Sequence, residues 1–403
     1  MIISFFKKIS LTKWIFICMI LGIVFGYFFP NIAIELKFVS QIFLRLVKSI
    51  VAPLIFATIV LGIAHHSNLK DIGKLGFKSI LYFEIVTTLA LFIGLAAINI
   101  TKAGEGIVLP PSVEKVETVK AKTFKEHLVE SFPENIAKSI AEGQMLQIVI
   151  FSILFGIGLA LAPEHAKVHM MNFSESLAET MFKMTGIIMY FAPIAVGCAM
   201  AYSVGHVGIQ ILKNLMYLVL TLYGALFVFI VAVLVPIALY FKINIKKLAQ
   251  HISEPVSIAF ATTSSDSALP KLMLALEKMG CSRKIVSFVL PMGYSFNLDG
   301  TTLYLSLATI FVAQVSKIDL TWGQQISILL TLMLTSKGVA GVPRASLVIL
   351  LGMASSLNLP LEPIFLIFGV DELMDMARTS TNVIGNSLAT CVIAKSEGEL
   401  QDN

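Results

Sequence analysis

Apolar residues run along this chain in long blocks separated by short polar stretches, without the steady alternation of a strand. A helix that crosses a bilayer needs roughly 20 apolar residues. Blocks close to or above that length lie at 14–29, 41–64, 78–100, 144–162, 176–204, 211–241, 284–315 and 362–394, which predicts eight spans. Several are long enough that tilted or projecting ends are expected. Residues 101–143 form the longest polar connection, with Pro110, Pro111 and mixed Lys and Glu, and read as a loop plus a short amphipathic stretch.

Two further stretches do not fit as spans. One, 252–280, has an apolar arm, a polar centre around Thr262–Ser267, a proline and a second apolar arm. The other, 323–358, repeats the plan with Gly338, Gly341 and Pro343 at its centre. Each arm is too short to cross alone, so each stretch is expected to enter the membrane, turn and leave on the same side. Non-helical backbone at that depth is tolerated only where it is buried in protein or lines a cavity. Each hairpin is followed by a long helix, and the two units have opposite orientation, the sequence sign of an inverted repeat with a site between its halves. The alternative is a kinked span in each place, giving ten spans.

Composition narrows the class. The chain has 403 residues, 57% apolar and 14% charged, with a mean hydropathy of +0.86. A soluble domain is about 45–50% apolar and about 25% charged. Soluble, disordered and coiled-coil chains are therefore excluded, and an all-α polytopic membrane protein remains. Net charge is 30 − 25 = +5, which is read as cytoplasmic loop charge and not as a nucleic-acid surface. Lys7, Lys8 and Lys13 precede the first block; Lys70 and Lys74 lie between the second and third; Lys242, Lys246 and Lys247 follow the sixth; Lys278, Arg283 and Lys284 precede the seventh. All fall on one side if the N-terminus is cytoplasmic, and 101–143 is then outside. The block at 14–29 resembles the start of a signal peptide but has no clear small-residue cleavage site, and is read as a retained first helix. Cys18, Cys198, Cys281 and Cys391 are widely spread, with no metal or disulfide spacing. The 17 Met residues read as packing filler and the seven His residues as scattered.

The last block carries the most chemistry. On a helix, Asp371, Asp375, Arg378, Asn382 and Asn386 are spaced 4, 3, 4 and 4 apart and share one stripe, with Thr379 at its edge. A buried charge costs on the order of 3 kcal/mol on the membrane-insertion scale, so such a stripe must face water, partners or a ligand. Arg378 suits a carboxylate, held by two parallel hydrogen bonds. Asp375 suits an ammonium group, and Asn382 a second carboxylate. That set fits glutamate or aspartate. The alternative is an internal Asp–Arg pair, for which the i, i+3 spacing of Asp375 and Arg378 is also suitable.

In the seventh block, Asn297-Leu298-Asp299-Gly300-Thr301 places a glycine inside an apolar run, where it is expected to interrupt the helix and free carbonyls for a small hard cation. Ser264 and Ser265 at the first hairpin centre offer donors for an anion or caps for a helix.

The SALP-ended serine hairpin, the FNLDGT string, the KGVAGVP tip and the DMARTSTNVIGN helix together resemble the dicarboxylate/amino acid:cation symporter family, most closely its bacterial proton/glutamate members. The resemblance spans the chain and is most specific from 252 to 395. It implies eight transmembrane helices plus two re-entrant helical hairpins, in a homotrimer within the inner membrane, with both termini cytoplasmic. Residues 1–75 and 101–204 would form mainly the trimer scaffold. Residues 76–100 and 205–395 would form mainly a mobile transport unit working by an elevator motion, and 396–403 a cytoplasmic tail. Arg378 would bind the side-chain carboxylate and Asp375 the amino group. Asn382, Ser264 and Ser265 would bind the main-chain carboxylate, with Thr301, Thr379, Gly341 and Val342 closing around the ligand. Cation sites would fall at Gly293, Asn297, Asn382 and Asn386, at Ser295, Ser336, Lys337 and Val339 through backbone oxygens, and at Asp299 with hydroxyls of the third span.

Two departures refine this. Sodium-using relatives often carry an aspartate where this chain has Asn386, and potassium-exporting relatives a glutamate where it has Leu305. Proton coupling, with or without sodium, is therefore expected; Glu84, Asp266, Asp299 and Asp371 are the candidate acids, since burial raises a carboxyl toward the working range. No prosthetic group and no nucleic-acid partner are implied. Membrane lipid and an acidic amino acid are the expected contacts. The rival reading within the family is a C4-dicarboxylate symporter, whose substrate has no ammonium for Asp375. An intramembrane aspartyl protease on Asp371 or Asp375, and an ion channel, are the rivals outside it; neither explains the cation-type motifs.

Overall fold

The computed structural model of the chain describes residues 11–64, 73–107, 129, 132–142, 144–336, 345–357 and 359–401. Those residues are helical almost throughout, and the only extended pairing among them is an antiparallel bridge between Cys281 and Leu400. The helices are α1 (Leu11–Phe28), α2 (Pro30–Glu35), α3 (Lys37–Ala64), α4 (Gly73–Thr101), α5 (Ile136–Glu142), α6 (Met145–Leu161), α7 (Glu164–Met189) and α8 (Ala192–Val207). They continue with α9 (Ile211–Phe229), α10 (Val235–Tyr240), α11 (Ile245–Thr262), α12 (Ser265–Met279), α13 (Arg283–Phe296), α14 (Asp299–Val315), α15 (Trp322–Thr335), α16 (Ala345–Ser356) and α17 (Glu362–Ser396). A π-helical turn, Ile230–Leu234, joins α9 to α10. Pro236 follows it and has no N–H to continue the α ladder.

By length and composition, five helices among the described residues are able to cross a membrane, six if the bent pair α7–α8 counts as one. The block at 362–394 is not among them because its polar stripe lowers its apolarity, yet it forms the longest helix among the described residues, of 35 residues. The bounds expected at 176–204 are corrected. The helix starts at Glu164 and turns by 52° between α7 and α8. Pro193, in the first turn of α8, leaves no donor to carry the ladder across. Glu164, His165, Lys167 and Glu175 hide the start from a hydropathy reading, although Lys167 and Ser174 are buried.

Small residues set a close helix crossing. α1 is largely exposed and buries only Ile15, Gly22 and Gly26. A Cβ at Gly22 would overlap the Gly197 carbonyl oxygen, and one at Gly26 the Ala201 carbonyl oxygen. Two small residues four apart on each helix thus let α1 and α8 touch backbone to backbone, where lipid gives no hydrophobic drive and close van der Waals contact must hold the pair.

The first hairpin forms as expected in kind, with a longer first arm. α11 and α12 pack on each other. Between them Thr263 takes a left-handed conformation (φ 51°), and Ser264 caps α12 by accepting from Ser267 N at 3.4 Å. The expected tip of the second hairpin lies outside the described residues; the helices on either side of it, α15 and α16, both pack on α14. The C-terminal segment ties down the base of the first: Ser282 N donates to Glu399 O (3.1 Å) and Gln401 N to Gly280 O (2.9 Å).

α17 is the central helix. It is buried from Pro363 to Ala394 with few interruptions and packs against α8, α9, α11, α13 and α14. Phe368 stacks on Phe43 of α3 at 5.0 Å, and Glu362 pairs with Lys37 at 2.7 Å. Protein, and not lipid, therefore surrounds its polar stripe. Replacing Gly22 with Leu is expected to force α1 off α8 and to destabilise the detergent-solubilised protein by about 1–3 kcal/mol, the usual cost of overpacking. Gly158→Leu, at a glycine with no atoms crowding its Cβ position, is the control. Thermal unfolding midpoints check the difference.

Candidate functional site

The stripe of α17 is real and deeply buried. Asp371 is 0% exposed, Asp375 5%, Arg378 1%, Asn382 3% and Asn386 1%. Its upper half is an ion cluster. Arg378 donates from Nη1 to Asp371 Oδ1 (2.9 Å) and from Nη2 to Asp371 Oδ2 (3.3 Å). Its Nε donates to Asp375 Oδ1 at 2.8 Å. The guanidinium carbon lies 4.3 Å from the ring centroid of Tyr304 on α14, a cation–π contact in a desolvated place. Thr379 Oγ1 donates to the same Asp375 oxygen at 3.0 Å. The second oxygen, Asp375 Oδ2, is buried and receives no hydrogen bond. With both carboxylates ionised, the three side chains sum to −1.

The lower half of the stripe meets a broken helix. α13 ends at Phe296 and α14 begins at Asp299, so the break falls on Asn297 and Leu298. The expectation that Gly300 interrupts the helix is corrected: it lies in the first turn of α14. Its lack of a side chain serves a close approach, since a Cβ there would overlap the Arg378 carbonyl oxygen. A helix start leaves backbone N–H groups without partners. Here a side chain from α17 supplies the cap: Asn382 Oδ1 accepts from Gly300 N (2.8 Å) and Thr301 N (3.3 Å). Asn382 Nδ2 donates to Thr301 Oγ1 at 3.0 Å.

Around the break, oxygens gather. Asn386 Nδ2 donates to the carbonyls of Asn297 (3.1 Å) and Asn382 (2.9 Å). Asn297 Nδ2 lies 3.3 Å from both Asp299 Oδ2 and Asn386 Oδ1. Asn297 Oδ1 is buried and receives no hydrogen bond. Gly293 and Gly385 have no room for a Cβ, which would overlap Asn386 Oδ1 and Asp299 Oδ2 respectively. An oxygen set of amides, a carboxylate and carbonyls fits a small hard cation, and the orphaned Asn297 oxygen is the atom such an ion would satisfy. The amide of Asn386 already holds two of the carbonyls.

Other expected residues sort as follows. Ser264 and Ser265 are half-buried at the tip of the first hairpin, whose two arms pack on α17. Ser336 is buried and its hydroxyl receives no hydrogen bond. Lys337, Val339, Gly341 and Val342, and the side chain of Ser295, lie outside the described residues. Of the four candidate acids, Asp299 and Asp371 are fully buried, Glu84 is half-buried and Asp266 is exposed in the first turn of α12. Sequence reasoning missed two partners. Tyr304 carries no signal, being one aromatic in an apolar helix. Asp371 as the bidentate partner of Arg378 was readable from its seven-residue spacing, two helical turns.

The model of the sodium:dicarboxylate symporter family matches residues 11–396. This chain belongs to the sodium:dicarboxylate symporter family. It is 43% identical to the proton/sodium-glutamate symport protein of Bacillus caldotenax, over 98% of this chain and 96% of that one. It is 42% identical to the proton/glutamate-aspartate symporter of Bacillus subtilis (95% and 94%) and 40% identical to the C4-dicarboxylate transport protein of the same organism (98% and 95%). As a symporter-family chain it is an all-helical, multi-pass membrane protein.

The capping role of Asn382 is testable apart from transport. Asn382→Ala takes the acceptor from the buried Gly300 N–H and the part-buried Thr301 N–H and is expected to cost about 1–3 kcal/mol, read as a lower unfolding midpoint. Thr381→Ala, which removes a hydroxyl bonded only to Ala377 O of its own helix, is expected to cost less.

Proposed function

We propose that this chain is a secondary active symporter of glutamate and aspartate, driven by a proton gradient, a sodium gradient or both. One observation carries the choice of an amino acid: Asp375 Oδ2, a buried acceptor with no donor, beside a guanidinium in a cluster of net charge −1. An ammonium group supplies the missing donors and the missing charge, while Arg378 takes the side-chain carboxylate. Asn382, Thr301, Thr379 and the hairpin serines Ser264 and Ser265 surround the rest of the molecule, and Gly341 and Val342 close over it. The names of the glutamate and glutamate-aspartate relatives support this reading. The C4-dicarboxylate relatives support the second reading, in which Asp375 Oδ2 would meet no ammonium.

For the coupling ion, the residues Gly293, Ser295, Asn297, Asp299, Ser336, Lys337, Val339, Asn382 and Asn386 are the proposed ligands. An amide at 386 lowers the negative charge available to sodium, and its Nδ2 sits on two carbonyls that would otherwise face the ion. Both facts favour protons as a driving ion. The architecture proposed is eight spans and two re-entrant hairpins in a homotrimer, in the inner membrane with both termini cytoplasmic and no enzymatic activity. The division into a scaffold (1–75, 101–204) and a moving unit (76–100, 205–395) is supported by packing. α1, α2, α3, α6, α7 and α8 pack largely on one another, and α4, α9 and α11–α14 with α17 do likewise.

Arg378→Cys is expected to abolish uptake of radiolabelled aspartate and glutamate by proteoliposomes while the protein stays folded; unchanged uptake would contradict the assignment. Asn386→Asp is expected to raise the sodium dependence of uptake. An unaltered response to sodium would remove this position from the cation ligands.

A further inference from the structure

A guanidinium has five N–H groups in a fixed plane, and only two edges of it grip a carboxylate with two parallel bonds. In this structure neither edge of Arg378 is free. The end edge, Nη1 with Nη2, is fully taken by Asp371. The side edge has its Nε taken by Asp375. Tyr304 lies against the guanidinium face. A substrate carboxylate that docks on two N–H groups therefore has to displace one of the two aspartates.

The two differ in what they keep. Asp375 retains the Thr379 hydroxyl and gains the ammonium at its second oxygen. Asp371 is fully buried; Arg378 bonds both of its oxygens, and the neutral Tyr304 phenol is the other polar group against it. Once displaced it is an ionised carboxylate in a dry place without its counter-ion, a state that costs far more than a protonated acid. The charged and titratable groups around it are Arg378, Asp375 and Glu372 on its own helix and Tyr304 on α14. Arg378 is the only cation among them, and the substrate engages it.

We propose that Asp371 is the coupling acid of the transport cycle: a substrate carboxylate takes its place on Arg378, and Asp371 takes up one proton. The proton enters from the side on which substrate binds, bonds to a displaced Asp371 oxygen, and is given up when substrate leaves and the ion pair re-forms. Two carboxylates share one guanidinium by exchange, and one proton accompanies each substrate. This assignment deepens the acidic amino acid reading and rests on it. It also separates Asp371 from the other three acids: Asp266 is exposed, Glu84 is half-buried, and Asp299 lies at the helix break, where its Oδ2 meets the Asn297 amide.

Asp371→Asn keeps an oxygen for Arg378 and cannot titrate. Two assays on purified, reconstituted protein test the proposal. In the first, concentrative aspartate uptake under a proton gradient is compared with exchange of external labelled for internal unlabelled aspartate. The ratio of exchange to concentrative uptake is expected to rise about tenfold or more in the variant, because a coupling step is lost that an unpaired buried charge had enforced. Concentrative uptake in step with exchange would overturn the proposal. In the second, calorimetry in buffers of different ionisation enthalpy counts protons taken up as aspartate binds. One proton in the unsubstituted protein and none in Asp371→Asn is expected; equal proton uptake by both would overturn it. If the unsubstituted protein neither binds nor transports aspartate, the amino acid reading itself fails, and this assignment with it.

Discussion

A guanidinium charge at the centre of a membrane protein has to be answered by something other than water. Here Arg378 is answered by two carboxylates of its own helix and one aromatic face. That requirement shapes the rest. α17 cannot lie against lipid, so it is wrapped by both arms of the first hairpin, by both halves of a broken helix and by α8 and α9. The break in the seventh block exposes helix-end N–H groups, and the amide of Asn382 on α17 covers them. Polar groups that no bilayer would admit singly are admitted as two hydrogen-bonded sets, the ion cluster and the amide group at the helix break.

The same set is under-satisfied at particular atoms. Asp375 Oδ2 and Asn297 Oδ1 are buried without donors, one beside the ion cluster and one at the helix break. In a packed soluble core such atoms would be costly faults. In the proposed symporter they are the atoms that a substrate ammonium and a coupling ion would satisfy, one in each half of the polar stripe.

Much of this was legible in the sequence. The 4, 3, 4, 4 spacing from Asp371 to Asn386 identifies one helical face, and the structure buries all five residues on it. The polar centre at Thr262–Ser267 marks the tip of a helical hairpin, and the turn falls at Thr263 and Ser264. What failed was what depends on register between distant helices. The bend at Tyr190–Phe191 follows from one proline inside a block whose polar start masks its length. Gly300 reads as a helix breaker, yet its role is contact with a backbone carbonyl 78 residues further on, which no local pattern encodes. The pairing of Asn382 with Gly300 and Thr301, and of Tyr304 with Arg378, likewise exists only once α14 and α17 are docked. The second hairpin tip, with Lys337, Val339, Gly341 and Val342, lies outside the described residues.

The account stands or falls on coupled transport of an acidic amino acid. Radiolabelled aspartate uptake into proteoliposomes, under an imposed proton gradient, a sodium gradient, both or neither, measures that directly. Accumulation above equilibrium that requires an inward cation gradient, is supported by protons alone, and is blocked by excess glutamate is the predicted result. Succinate accumulation with no aspartate uptake under any gradient would contradict it and move the chain to the dicarboxylate reading.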